Sequence, residues 1–235
     1  MSKHYMLVGA TSGLGYVAAN FLKNTKTKIS ILGRKNLKEN NNFYFCDLEN
    51  INSFDSVLDQ VISDYGKLDG IVFFQRYRGK KNNWDNEILT SLTSTKYIIE
   101  KSMNFFSDKV DKSLVFISSV NSSFISPNVS LGYHVSKSGI NSLAKYYAQN
   151  LGHLKVRSNI ICPGTFIKPE NKSYFLNNNL ALESLKSLSP LNKVTDALEI
   201  CELIKFLLSK KSSAITGQSF IIDSGVSIAW PEGRN

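Results

Sequence analysis

Three features of the sequence predict an α/β chain, built as a doubly wound parallel sheet of about seven strands flanked by helices. Short β-branched or aromatic runs alternate with longer helical segments, the runs are apolar almost throughout, and a glycine-rich turn joins the first run to the first helical segment. Near-continuous apolar strands belong to a sheet covered on both faces, and strand–helix alternation implies right-handed βαβ units.

In chain order, strands are expected at 5–8, 28–32, 43–46, 70–74, 113–117, 156–161 and 219–222, where β-branched and aromatic residues dominate. Helices are expected between them at 14–23, 51–65, 88–106, 132–150 and 195–208. In the last, Ala197, Ile200, Cys201, Ile204, Leu207 and Leu208 recur at helical spacing, and Thr195 or the residues just before it would cap the start. No internal repeat, long linker or Pro/Gly-rich hinge divides the chain, so 1–235 reads as one domain. The least regular stretch, 163–191, alternates Asn-rich and Ser-rich runs with short apolar clusters and reads as a lid on the substrate side.

Composition narrows the function classes. Of 235 residues, 42% are apolar and 20% charged, enough side chain for a sizeable core and ordinary for a globular protein. No stretch approaches the ~20 apolar residues of a membrane span, and the start enters a glycine turn too soon for a signal peptide, so no membrane partner is expected. Cys46, Cys162 and Cys201 are widely spaced, without a CxxC pair and with only three His, which argues against a zinc site or a disulfide framework. A reducing cytoplasm is the expected compartment. The net charge of +9 comes from lysines scattered along a chain also rich in Asn, with no basic stripe. No nucleic-acid partner is expected, although a positive surface draws in anionic substrates.

The turn Gly9-Ala10-Thr11-Ser12-Gly13-Leu14-Gly15 follows the first strand and opens the first helix. A helix N-terminus offers free N–H groups and positive dipole to a dinucleotide's diphosphate. Gly9 permits the tight turn, Gly13 close approach of phosphate to backbone, and Gly15 close packing of helix on strand. A turn without a ligand is the alternative. The second strand ends at Gly33-Arg34, where an NAD site usually places Asp or Glu for the ribose hydroxyls. Arg34 suits a 2′-phosphate, with no carboxylate at that place to repel it, so NADP(H) is favoured over NAD(H). Asp47, in Cys46-Asp47-Leu48, accepts from the adenine amino group or else caps the helix near Ile51.

Tyr133-His134-Val135-Ser136-Lys137 sets Tyr133 and Lys137 one helical turn apart on one face. An ammonium near a phenol favours phenolate, so that Tyr exchanges a proton with a substrate oxygen. Ser118-Ser119 ends the fifth strand at the carboxyl edge, where ligands of open α/β sheets bind. His134, His4 and His153 have no partner at catalytic spacing. Trp84 is expected to pack near its helix start, and Trp230 at a subunit contact or over the substrate mouth.

With these motifs together, the chain resembles the short-chain dehydrogenase/reductase family, and members like the 3-oxoacyl-carrier-protein reductases in particular. The resemblance runs through Gly9–Gly15, Asp47, Leu68-Asp69-Gly70, Ile117-Ser118-Ser119, Tyr133–Lys137, Asn159 to Gly164, Thr216-Gly217-Gln218 and Asp223-Ser224-Gly225. It implies a single-domain Rossmann-type fold. It also implies Tyr133 as general acid/base, Ser119 rather than Ser118 holding the substrate oxygen, and Lys137 on the nicotinamide ribose. Gly9, Thr11, Ser12, Gly13, Leu14, Gly15, Arg34, Asp47, Leu48, Pro163 and Gly164 would bind the dinucleotide. The family commonly assembles as homodimers or homotetramers through its long helices.

Two departures stand out. The family's Asn-Asn-Ala-Gly after the fourth strand is Phe73-Phe74-Gln75-Arg76 here, and its active-site Asn aligns with Ser91. That Asn supports a relay water chiefly through its main-chain carbonyl, a role Ser can share. Arg76 and Arg78 lie in a loop at the carboxyl edge, where they would clamp a carboxylate or phosphate of the substrate, stay solvated, or contact the cofactor's own phosphates. The expected activity is NADP(H)-dependent interconversion of a carbonyl and a secondary alcohol, on a keto-acyl thioester or a keto-sugar. The competing expectation is a nucleotide-binding sensor or scaffold that has lost turnover.

Overall fold

The computed structural model describes residues 2–23, 27–35, 42–79, 83–108 and 111–229. Its strands are β1 (Lys3–Val8), β2 (Thr27–Gly33), β3 (Phe43–Phe45), β4 (Gly70–Phe73), β5 (Lys112–Ile117), β6 (Val156–Pro163), β7 (Phe166–Ile167), β8 (Thr195–Asp196) and β9 (Ser219–Ile222). Seven form one all-parallel sheet in the order β3-β2-β1-β4-β5-β6-β9, and β7 pairs with β8 apart from it. The order reverses at β1, which pairs with β2 on one side and β4 on the other. That reversal opens a crevice at the carboxyl edge.

The helices are α1 (Gly13–Lys23), α2 (Phe54–Tyr65), α3 (Trp84–Ile88), α4 (Ser94–Ser102), α5 (Leu131–Leu151), α6 (Pro169–Asn177), α7 (Asn179–Ser187) and α8 (Ala197–Leu208). Strand side chains alternate between two cores. Met6, Val8, Ile71, Phe73, Leu114 and Phe116 join α2, α4 and α5 through Phe54, Leu58, Ile98, Ile99 and Ile140. Leu7, Val72, Val115 and Ile161 face the other way, onto Leu14, Ala18 and Leu22 of α1 and Ile200, Ile204 and Leu207 of α8. Period-two alternation with both faces apolar is why the strands read as continuous hydrophobic runs.

The expected strands and five main helices are present, with shifted ends. The segment expected as one helix at 88–106 is interrupted by a π-helical turn at Leu89–Thr93. The stretch 163–191 is more regular than its composition suggests, because it holds α6 and α7. Thr195 does not cap α8; Asp196 does, its Oδ1 accepting from Leu198 N at 2.8 Å while Glu199 Oε2 accepts from Asp196 N at 2.9 Å. His4 is buried against Gly66 O and Ser30 Oγ, at 2.8 and 3.0 Å. Trp84 is exposed rather than packed. Trp230 lies outside the described residues. No helix among the described residues is long and apolar enough to cross a membrane.

Candidate active site

Parallel pairing brings the C-terminal ends of β1, β2, β4, β5 and β6 to one edge, and the loops that leave them carry the candidate residues. After β1 the chain turns at Gly9, with φ +73°, and a Cβ there would lie 2.8 Å from the Gln75 backbone. A Cβ on Gly15 would lie 2.5 Å from Ala10 Cα, so this glycine is what lets α1 start so close to the turn. Gly9, Thr11, Ser12, Arg34, Asp47 and Leu48 line a cavity of about 430 Å³, faced by Gln75, Arg78, Thr90 and Glu170. Gln75 Oε1 and Thr90 Oγ1 are buried there without a partner among the described residues. A glycine cradle at a helix start and buried polar atoms without partners among the described residues fit a dinucleotide.

Arg34 is not free of carboxylates. Its Nη1 donates to Glu49 Oε1 at 2.5 Å and lies 3.9 Å from Asp47 Oδ1. The expectation of no nearby acid is thereby corrected: β2 pairs with β3 in the register Gly33↔Phe45, so residues following both strands meet at the same edge. Asp47 does not cap the turn at Ile51–Ser53 either; its Oδ1 accepts from Glu49 N at 3.1 Å.

Leu14, Ser119, Tyr133, Lys137, Pro163 and Gly164 line an adjoining cavity of about 100 Å³. Ser130 caps α5, its Oγ accepting from Tyr133 N at 3.3 Å. Lys137 Nζ donates to Ile117 O at 2.9 Å and lies 5.6 Å from the centroid of the Tyr133 ring. Burial pulls the Lys137 ammonium below its ordinary range, opposed by Tyr133 and Glu87. Ser118 Oγ donates to Lys137 O at 3.1 Å, a tie between strand end and helix. Ser119 Oγ accepts from Asn121 N at 3.2 Å, and Ser119 also lines a cavity of about 510 Å³ with Phe124, Val129, Leu185, Leu188 and Val226. His134 takes a positioning role: Nδ1 donates to Ser130 O at 2.8 Å and Nε2 accepts from Ser126 N at 3.1 Å, the tautomer following from the partners.

The two arginines of the loop after β4 line the same two cavities and approach different neighbours within them. The Arg76 guanidinium carbon lies 5.8 Å from the Tyr133 ring centroid. Arg78 Nη2 stands 3.4 Å from where a Cβ on Gly13 would be. Ser91 sits in the π-helical turn, its carbonyl accepting from Thr95 Oγ1 at 2.6 Å and its hydroxyl donating to Glu87 Oε1 at 2.8 Å. Glu87, buried and also accepting from Ser136 Oγ at 3.2 Å, escaped the sequence reading because an isolated acid on a helix looks solvated. Lys168 and Glu170 escaped it too. The signal was available, since Pro169 followed by an acid marks a helix start.

Comparison with known proteins shows the family and the fold. A family model described as enoyl-(acyl carrier protein) reductase matches residues 9–227. The 3-oxoacyl-[acyl-carrier-protein] reductase FabG of Thermotoga maritima is 26% identical over 192 residues, covering 79% of this chain and 76% of that one. A short chain dehydrogenase family protein from Francisella tularensis superposes with a TM-score of 0.82 at 26% identity, covering 97% of this chain and 100% of the other. The aldohexose dehydrogenase of Thermoplasma acidophilum shares the fold with a TM-score of 0.88 at 24% identity, covering 100% of this chain and 97% of that one.

Proposed function

Because the chain belongs to the short-chain dehydrogenase/reductase family of oxidoreductases, we propose that it is an NADP(H)-dependent enzyme interconverting a carbonyl and a secondary alcohol. The observation that carries this reading is the convergence of Ser119, Tyr133, Lys137 and Pro163–Gly164 on one cavity beside the glycine turn. Gly9, Thr11, Ser12, Gly13, Leu14 and Gly15 would hold the dinucleotide, which supplies or takes up the hydride. Ser119 Oγ holds the substrate oxygen. Tyr133 gives that oxygen a proton in reduction and takes it back in oxidation. Lys137, fixed to the end of β5, holds the ribose. Arg34 favours a 2′-phosphate, in competition with Glu49.

The 510 Å³ cavity beside Ser119 has an apolar wall of Phe124, Leu185, Leu188 and Val226, which suits a keto-acyl chain carried as a thioester. Residues 163–191 supply Leu185 and Leu188, as a substrate lid would. Against this, a 560 Å³ cavity that includes Tyr133 is lined by Arg76, Asn83, Trp84, Asn121 and Asn128, which favours a keto-sugar as the second reading. Exposed Val135 and Tyr146 on α5 suit assembly with further copies of the chain.

The test is NADPH oxidation followed with keto-acyl thioesters and keto-sugars side by side. Turnover that disappears in Tyr133→Phe supports the enzyme. Dinucleotide binding without turnover across both panels would favour the sensor or scaffold instead.

A further inference from the structure

Helix α6 reaches across the crevice and places a carboxylate on the glycine turn. Glu170, the second residue of α6, accepts a hydrogen bond from Gly13 N–H through Oε1. Gly13 is the first residue of α1, so this N–H is one of the free donors that a helix start offers to an anion. Lys168, one residue before α6, has its Cδ 3.8 Å from where a Cβ on Gly13 would lie, and Arg78 Nη2 comes within 3.4 Å from the loop after β4. Two cationic side chains and one carboxylate therefore meet at Gly13, with the Lys168 ammonium itself 5.6 Å from the Phe166 ring centroid. Their mutual influence is consistent with this placement. Desolvation and the neighbouring arginines hold the Lys168 ammonium below its ordinary range, and Glu170 opposes them. Arg78 is likewise lowered by desolvation and Arg76, with Glu170 again opposing.

Resting on the dinucleotide reading above, we infer that Arg78 and Lys168 form a clamp for the dinucleotide's diphosphate, and that Glu170 is an internal anion competing for the same place. Glu170 and a phosphate oxygen cannot both take the Gly13 N–H, and a carboxylate beside a diphosphate repels it. Binding therefore requires the start of α6 to swing its acid away while its neighbour Lys168 stays within reach. A lid built so reads the occupancy of the diphosphate site directly. Because the diphosphate is common to both pyridine dinucleotides, this clamp sets affinity without choosing between them. Arg34 and Glu49, at the far end of the same cavity, are the pair that choose.

The experiment titrates the full chain and its Glu170→Gln, Arg78→Leu and Lys168→Met variants with NADPH and with NADH, reading nucleotide fluorescence, and competes each complex with inorganic pyrophosphate. Glu170→Gln should tighten both nucleotides by a common factor of about three to ten, the scale of one charge at a helix start or in a charge-assisted hydrogen bond. Arg78→Leu and Lys168→Met should weaken both about tenfold, and pyrophosphate should compete better against Glu170→Gln than against the parent. Unchanged or weaker binding in Glu170→Gln overturns the competition. Cation variants that alter only NADPH overturn the clamp. A parent chain that binds neither nucleotide removes the dinucleotide reading itself, whereas binding with indifferent variants removes only this inference. If Glu170→Gln fails to fold, Glu170→Ala gives the same comparison.

Discussion

Lys137 and Tyr133 are held in register by one backbone carbonyl: Lys137 Nζ donates to Ile117 O at 2.9 Å, and this leaves the ammonium 5.6 Å from the Tyr133 ring centroid. Helical spacing puts the two side chains on one face, and the end of β5 stops the lysine from swinging into solvent. On the proposed mechanism, Tyr133→Phe should lower kcat/KM by about 10²–10⁴, the usual worth of a positioned acid/base. NADPH affinity should stay within about twofold, because the phenol is not a cofactor anchor of the same weight as Lys137. Lys137→Met should lose both turnover and affinity. Steady-state kinetics with parallel nucleotide titrations separate the two.

Arg34 shares its guanidinium with Glu49, so on the proposed function a carboxylate and a 2′-phosphate would compete for it. Glu49→Gln should raise the preference for NADPH over NADH several-fold, and Arg34→Leu should cut that preference about tenfold or more. The ratio of dissociation constants for the two nucleotides is the measurement. Equal losses for both in Arg34→Leu would make Arg34 a general anchor instead.

Arg76 lies 5.8 Å from the Tyr133 ring centroid and lines two cavities that Tyr133 also lines. Arg76→Leu should therefore raise KM, or lower kcat/KM, for an anionic substrate far more than it weakens NADPH. The effect should shrink for a neutral ketone of the same shape. Unchanged turnover of an established anionic substrate would count against the substrate role.

His4 couples stability to pH. Burial is the main influence and lowers its pKa below the ordinary histidine value of 6.5, with the hydrogen bond to Gly66 O opposing it. The unfolded chain then binds the proton more readily than the folded one. Stability is present in full above about pH 6.5 and falls as pH drops below it. Urea denaturation between pH 5 and 8 should show this limb in the parent chain, and His4→Gln should lack it.

Much of the frame could be read from residue patterns, because both faces of the sheet are apolar. Leu7 and Met6 serve opposite cores, yet both are hydrophobic, so the strand is visible whichever way it faces. The split of 88–106 by a π-helical turn was hidden, since Thr90 and Ser91 differ from their helical neighbours only in which carbonyl they meet. Helices α6 and α7 were hidden for another reason. Leu176 and Leu180 are exposed, so the packed apolar face that usually announces a helix is weak there.

Local order alone was enough to establish the glycine turn at the start of α1, the Tyr133–Lys137 pairing and the serine after β5, because each depends on short-range spacing or on the rule that open parallel sheets bind at their carboxyl edge. Tertiary structure alone decided that Glu49 meets Arg34, that Arg76 nears the Tyr133 ring, and that Glu170 crosses to Gly13, a contact spanning 157 positions. Charges on different loops have no periodicity to relate them. Only strand register and the path of the chain determine which of them become neighbours.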